Sequence, residues 1–326
     1  MPRKTMIAAI NEALFEEMRR DPNVFLIGED VRIGVFAGTR GLHKEFGDKR
    51  VIDTPISELA VAGAGVGAAA TGLRPIVDLM FGTFLYLAFD QIANQAGAMR
   101  YMFGGQTTLP IVYMVQNGSG SSAGHHHSQS VHTFFMNMPL IKVVMPSTPY
   151  DVKGLLKAAI RDDNPVVFLN HLSLGGQRSD VPDADYVIPL GQADIKRAGK
   201  DVTICTAGMM VHHSLKAAAM LEKEGIDAEV IDLRTLKPWD ETAVLESVAK
   251  TGRFVAVDES YPVCGAASEW AATVAEKAFH HLKAPVRRVS TKPVPIPFSP
   301  VLEKAVVPSP EEIAAAVREL FPVATT

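Results

Sequence analysis

Cysteine is nearly absent: Cys205 and Cys264 are the only two in 326 residues, far apart and without metal-type spacing. A disulfide framework and a structural zinc site are thereby excluded, and a reducing compartment, the cytoplasm, is expected. No dense block of Lys or Arg occurs and the formal net charge is −4, which argues against a nucleic-acid or anionic-membrane surface. The most apolar charge-free stretch, Leu59 to Leu73, is too short and too rich in glycine to span a bilayer. Also missing are a P-loop, a dinucleotide-type glycine loop, a G-x-S-x-G elbow and an Asp-rich divalent-metal pattern. If a phosphorylated ligand binds, something else holds its phosphates. A targeting peptide is not expected either, because Glu12, Glu16 and Glu17 lie within an amphipathic run carrying Ile7, Ile10, Leu14 and Met18.

What is present is a long alternation of short apolar runs with helical segments, at a hydrophobic content of 47 %. The length suits two domains, each with its own core. In the first half, Val24 to Ile27, Arg50 to Ile52, Pro75 to Leu79, Pro110 to Val115, Lys142 to Met145 and Pro165 to Leu169 read as strands. Their continuous apolar character predicts a mostly parallel sheet covered on both faces, a doubly wound α/β domain over 1–175. Between 176 and 200 Gly, Asp and Pro are scattered without sustained periodicity, which predicts a linker. A second, smaller α/β unit over 201–326 follows, with strands from Val202, Ala228, Arg253 and Val286. It is expected to end in a capped helix within Pro308 to Leu320.

Glu58 stands where the strand ending at Ile52 gives way, after Pro55, to a helix built almost wholly of Ala, Gly and Val, with Ser57 placed to cap it. Parallel sheets bind ligands at the carboxyl ends of their strands, so Glu58 belongs to the expected ligand face. Its apolar neighbours favour acid/base work; a solvated first-turn carboxylate is the other reading. The glycines of that helix predict close backbone packing, inside the chain or, slightly favoured, at a subunit interface. Glu29 and Asp30 place further carboxylates at the same rim, and Phe84 can stack on a planar heterocycle or fill the core. From Arg100 to Lys142 no intervening residue is Asp, Glu, Lys or Arg, yet Gln, Asn, Ser and three consecutive histidines, His125, His126 and His127, supply neutral polar groups. That pattern predicts a polar-lined cavity centred on Ser119 to Ser130, with one catalytic histidine or with imidazoles bonded only to backbone and water. Metal coordination by the three histidines, as in a self-contained metal hydrolase, is the remoter alternative, since consecutive residues point apart. Cys205 and Cys264 read as inert.

Taken in order, IGED (Ile27 to Asp30), GDKRVIDTPISE (Gly47 to Glu58), GLRPIVD (Gly72 to Asp78), FDQIANQA (Phe89 to Ala96) and HSQS (His127 to Ser130) carry a resemblance. KVVMPSTPYDVKGLL (Lys142 to Leu156), AIRDDNPVVF (Ala159 to Phe168), DLRTLKPWD (Asp232 to Asp240) and VDES (Val257 to Ser260) continue it. Over essentially its whole length the chain resembles the beta subunit of the thiamin-diphosphate-dependent first component of 2-oxo acid dehydrogenase complexes. The resemblance implies a pyrimidine-binding domain followed by a transketolase C-terminal-like domain. It also implies an oxidoreductase active only with an alpha subunit, as an α2β2 heterotetramer that serves a lipoyl-bearing acyltransferase core. Thiamin diphosphate would be shared, with its diphosphate and magnesium on the alpha side. Glu58 would hydrogen-bond the aminopyrimidine ring nitrogen, and Phe84 would lie beside that ring. His127 would assist acyl transfer to a lipoyl group, and Glu29 would take part in proton traffic. A monovalent cation, potassium, would be held mainly by backbone oxygens at Ile111, Ala159, Asp162 and Asn164. HHHSQS is richer in histidine than is usual in the family, which leaves pyruvate, branched-chain 2-oxo acids and the hydroxyketone acetoin open as substrates. A non-catalytic assembly subunit is the remaining alternative.

Overall fold

The computed structural model describes residues 1–321; positions 322–326 of the expected second domain lie outside the described residues. The chain forms two compact units, 1–118 with 134–190, and 119–133 with 191–326. The first unit contains strands β1 (Arg3–Thr5), β2 (Val24–Gly28), β3 (Val51–Asp53), β4 (Arg74–Phe81), β5 (Val112–Asn117), β6 (Lys142–Val144), β7 (Val166–His171) and β8 (Arg178–Asp180). Six of them are parallel neighbours in the order β6-β7-β5-β4-β2-β3. Every residue of β2 and β7 is buried, as expected of strands covered on both faces. The short β1–β8 pair is antiparallel; neither strand has a run of apolar residues that would announce it.

The amphipathic Met6–Arg20 helix buries Met6, Ala9, Ile10, Ala13, Leu14 and Met18. Its acidic residues face the Pro149–Arg161 helix, where Lys153 is wholly buried. The Lys153 ammonium lies 2.7 Å from Glu12 and 2.8 Å from Glu16, and Arg161 pairs with Glu17 at 2.6 Å. An ammonium removed from water needs such partners. The Glu58–Ala70 helix lies on the sheet through Gly65, where an added Cβ would stand 2.6 Å from Val77 and 2.8 Å from Ile111. At this glycine the contact is internal to the chain; Gly67, on the outer face, has nothing within 4 Å. Ser57 occupies the N-cap position of that helix, but its side chain makes no capping hydrogen bond.

The second unit contains β9 (Asp194–Arg197), β10 (Val202–Thr206), β11 (Ala228–Asp232), β12 (Thr235–Lys237), β13 (Phe254–Asp258) and β14 (Arg287–Ser290). Its five-stranded sheet runs β14-β13-β10-β11-β9, parallel except for β9. Both β8 and β9 fall in the stretch read as a linker; β9 closes the edge of this sheet. Val202, Ile204, Val230, Val255 and Val257 form the core together with Ile313 and Val317 of the terminal helix. That helix, Pro310–Arg318, starts on the expected capping box, Ser309 with Glu312. Cys205 is buried in the sheet, whereas Cys264 is exposed.

Candidate functional site

In the first unit, the carboxyl ends of β2 and β4 and the start of the Glu58–Ala70 helix enclose a small cavity. Glu29, Glu58 and Asp78 line it together with Pro55, Ile56, Val61, Leu79 and Phe84. Glu29 follows β2 directly, and Glu58 is the first residue of its helix. Phe84 lies on the 3-10 turn Gly82–Tyr86, edge-on to Phe81 at 5.5 Å between ring centroids. Glu29, Glu58 and Phe84, chosen from sequence, are thus brought together. Their arrangement suits a planar heterocycle that needs an apolar slot and a carboxylate at one edge.

Asp78 was not among the residues singled out, and its position is informative. Gly28 allows β2 to approach the Asp78 backbone, since a Cβ there would lie 2.4 Å from the Asp78 carbonyl oxygen. Burial pushes the Asp78 carboxyl up to about 6, against the opposing hydrogen bond donated by the Met80 amide at 2.9 Å. Glu29 is raised by burial first and then by the negative charges of Asp30 and Glu58. Two of the three carboxyls in the cavity therefore hold protons more readily than free side chains do. A second cavity, also lined by Glu29 and Asp78, adds Gln116 and Asn170. The Asn170 amide is buried, and neither its nitrogen nor its oxygen has a hydrogen-bond partner among the described residues.

The histidine segment belongs to the second unit. The expected polar cavity around Ser119 to Ser130 takes another form, because the segment's donors are met by carboxylates from residues 258–303. The Ser119 amide and hydroxyl both donate to Glu259 at 2.7 Å. The Gly120 amide donates to Glu303 at 2.7 Å and the Ser122 amide at 3.0 Å. At the far end His132 Nε2 meets Asp258 at 2.9 Å, with both side chains buried. Burial alone would raise the Asp258 carboxyl, but His132 and Ser260 outweigh it and hold the group below its usual value. His125 to Ser128 form one short helical turn. His125 Nδ1 accepts from the Ile296 amide at 3.2 Å, and burial followed by the neighbouring His126 lowers its proton affinity. His126 is exposed and His127 half-buried. Among the described residues no three His, Cys, Asp or Glu side chains are arranged to hold a metal ion.

Ile111, Ala159, Asp162 and Asn164 all lie in the first unit, where hydrogen bonds join Asp162 to Ala159 and to Asn164. Ile111 O accepts from the Val166 amide at 2.9 Å, and Ala159 O from the Asp162 amide at 3.3 Å. Asp162 O accepts from Arg74 at 3.1 Å, and the Asp162 carboxylate binds the Asn164 amide and Lys142. Burial raises that carboxyl, but Lys142 and Asn164 more than compensate and leave it lowered. No helix among the described residues is long and apolar enough to cross a membrane.

Residues 3–176 match the family transketolase, pyrimidine binding domain, and residues 191–313 match transketolase, C-terminal domain. The chain is 50 % identical to the acetoin:2,6-dichlorophenolindophenol oxidoreductase subunit beta of Cupriavidus necator, over 98 % of both chains. It is 46 % identical to the 2-oxoisovalerate dehydrogenase subunit beta of Bacillus subtilis, over 96 % of this chain and 97 % of that one. Identity to the pyruvate dehydrogenase E1 component subunit beta of Rhizobium meliloti is 47 %, over 98 % of this chain and 70 % of that one. Among solved structures, a split gene transketolase described as an inactive beta4 tetramer superposes with a TM-score of 0.79 at 25 % identity, covering 96 % of each chain. With two transketolase-type domains in order and full-length relatives of this kind, the chain belongs to the family of beta subunits of the thiamin-diphosphate-dependent first component of 2-oxo acid and acetoin dehydrogenase complexes.

Proposed function

We propose that this chain, joined to an alpha subunit in an α2β2 assembly in the cytoplasm, holds the aminopyrimidine end of thiamin diphosphate in the Glu29–Glu58–Phe84 cavity. The observation that carries this reading is the convergence of Glu58 and Phe84 on one apolar-walled cavity at the carboxyl ends of parallel strands. The residues fit the group: Phe84 offers a ring face or edge, Pro55, Ile56 and Val61 supply apolar wall, and Glu58 supplies a carboxyl for a ring nitrogen. When bound, thiamin diphosphate supplies the nucleophilic carbon and the electron sink for cleaving the bond next to a carbonyl. Glu58 moves a proton at the ring nitrogen, Glu29 passes protons at the same rim, and His127 serves acyl transfer to a lipoyl group on an acyltransferase core. Diphosphate and magnesium are assigned to the alpha subunit, in keeping with the missing phosphate loop. Backbone oxygens at Ile111, Ala159, Asp162 and Asn164 are assigned to a potassium ion, supported by the corner in which Asp162 is hydrogen-bonded to Ala159 and Asn164. The division into a pyrimidine domain over 1–175, a linker over 176–200 and a C-terminal domain over 201–326 belongs to the same proposal.

Acetoin is the proposed substrate, because two relatives named as acetoin:2,6-dichlorophenolindophenol oxidoreductase subunits share 50 % and 47 % identity with this chain. Relatives named for pyruvate and 2-oxoisovalerate, at 47 % and 46 %, support 2-oxo acids as the second reading. Initial rates of the reconstituted alpha–beta pair on acetoin, pyruvate and branched-chain 2-oxo acids, with 2,6-dichlorophenolindophenol as acceptor, decide between them. The lone chain is expected to be inactive on all three; full activity without the partner refutes the shared site.

A further inference from the structure

We propose that Glu303, far along the chain in the short Pro300–Val306 helix, is the positioning residue for the histidine segment. This rests on the assignment of His127 to the reaction. Glu303 is only 3 % exposed. Among the described residues its side-chain hydrogen bonds go to two residues of the loop ahead of His127: the Gly120 amide at 2.7 Å, the Ser122 amide at 3.0 Å and the Ser122 hydroxyl at 3.3 Å. A buried carboxylate is costly without such donors, so the two partners stabilise each other only while the loop keeps this shape.

The shape itself is unusual. Gly118, Gly120 and Gly124 have φ of 83°, 96° and 75°, and Ser122, with a Cβ, has φ 55°. Backbone that repeatedly visits the left-handed region turns successive amides inward and forms a concavity for an anion. Here protein carboxylates fill it: Glu303, and Glu259 on the Ser119 amide. Non-glycine residues in this region are strained and persist where surrounding contacts over-determine them. At Ser122 the Glu303 carboxylate supplies those contacts. His125, two residues beyond Ala123, is then fixed by the Ile296 amide, and Phe298 packs 3.7 Å from where a Cβ on Gly124 would stand. His127 emerges one turn later from a loop anchored by Glu259, Ile296 and Glu303.

The test uses Glu303→Ala and the nearly isosteric Glu303→Gln, with circular dichroism to confirm folding. In the purified chain, amide hydrogen exchange at Gly120 and Ser122 should accelerate about 10- to 100-fold in Glu303→Ala, the loss of one charge-assisted hydrogen bond per amide, and less in Glu303→Gln. In the assembled enzyme, kcat should fall about 10- to 100-fold in Glu303→Ala with KM within about twofold, because a misplaced group costs rate rather than substrate binding. Partial rescue by Glu303→Gln in both measurements is expected, and that variant reports even if the alanine variant does not fold. Unchanged exchange overturns the clamp. Faster exchange with wild-type kcat overturns the positioning role. An assembled wild-type enzyme with no turnover of acetoin or 2-oxo acids defeats the functional reading and the catalytic half of this proposal, while exchange still decides the clamp.

Discussion

Replacing Asp78 by asparagine isolates the cost of a carboxylate at the centre of the candidate site. Burial raises this group from 3.8 to about 6 in the folded chain. Between those values the folded protein keeps a proton that the unfolded chain has released, so stability falls as pH rises from about 4 through about 6 and then levels off. A rise of roughly 2 units at about 1.4 kcal/mol each gives about 3 kcal/mol, an upper figure because the side chain lines two cavities that admit water. The carboxamide of Asp78→Asn keeps an oxygen for the Met80 amide, now 2.9 Å from the carboxylate, and has no charge at any pH. Any packing penalty is the same at each pH and cancels from the trend. In urea unfolding at pH 4.5, 6 and 8, a range that covers roughly 1.5 of those units, the stability of the variant relative to wild type is expected to rise by up to about 2 kcal/mol. Parallel pH curves for the two proteins, or a wild type that gains on the variant above pH 6, refute the reasoning.

Glu58→Gln should lower turnover of the assembled enzyme by about 10²- to 10⁴-fold while heterotetramer formation, followed by size-exclusion chromatography, is retained; a near-normal rate removes Glu58 from the reaction. Gly65→Ala should destabilise the chain by about 1–3 kcal/mol, because the new methyl meets Val77 at 2.6 Å and Ile111 at 2.8 Å. Gly67→Ala, in open space, should stabilise it by up to about 1 kcal/mol in the same thermal melts. If potassium binds at Ile111, Ala159, Asp162 and Asn164, the melting temperature should be higher in potassium than in tetramethylammonium chloride of equal ionic strength. That gain corresponds to about 2.7 kcal/mol at a hundredfold excess over Kd, and equal values discard the site.

The strands were legible because burial on both faces writes itself into a strand as a continuous apolar run. Val24–Gly28 and the Val166–Leu169 part of β7 show this. The terminal helix was legible because Ser309 and Glu312 satisfy each other within a single turn. Glu58, Glu29 and Phe84 could be chosen from sequence because strand ends in a parallel sheet announce the ligand face. β9 was missed because an edge strand reading Asp-Ile-Lys-Arg, only partly buried, has no apolar run. Cys264 reads as apolar from its neighbours, yet a local φ of 55° accompanies an exposed position that its composition does not signal.

The sequence by itself determined the buried central strands and the main helices, the parallel architecture and the family, since each is carried by residues near one another along the chain. The tertiary structure alone decided the state of Asp78, which depends on what burial removes from around it. It also decided the fate of the uncharged stretch between Arg100 and Lys142. That stretch needs no charges of its own, because Glu259, Glu303 and Asp258 bring theirs to it across sequence separations of 126 to 183. A carboxylate that far along the chain leaves no local periodicity, and only folding shows which amides it was meant to meet.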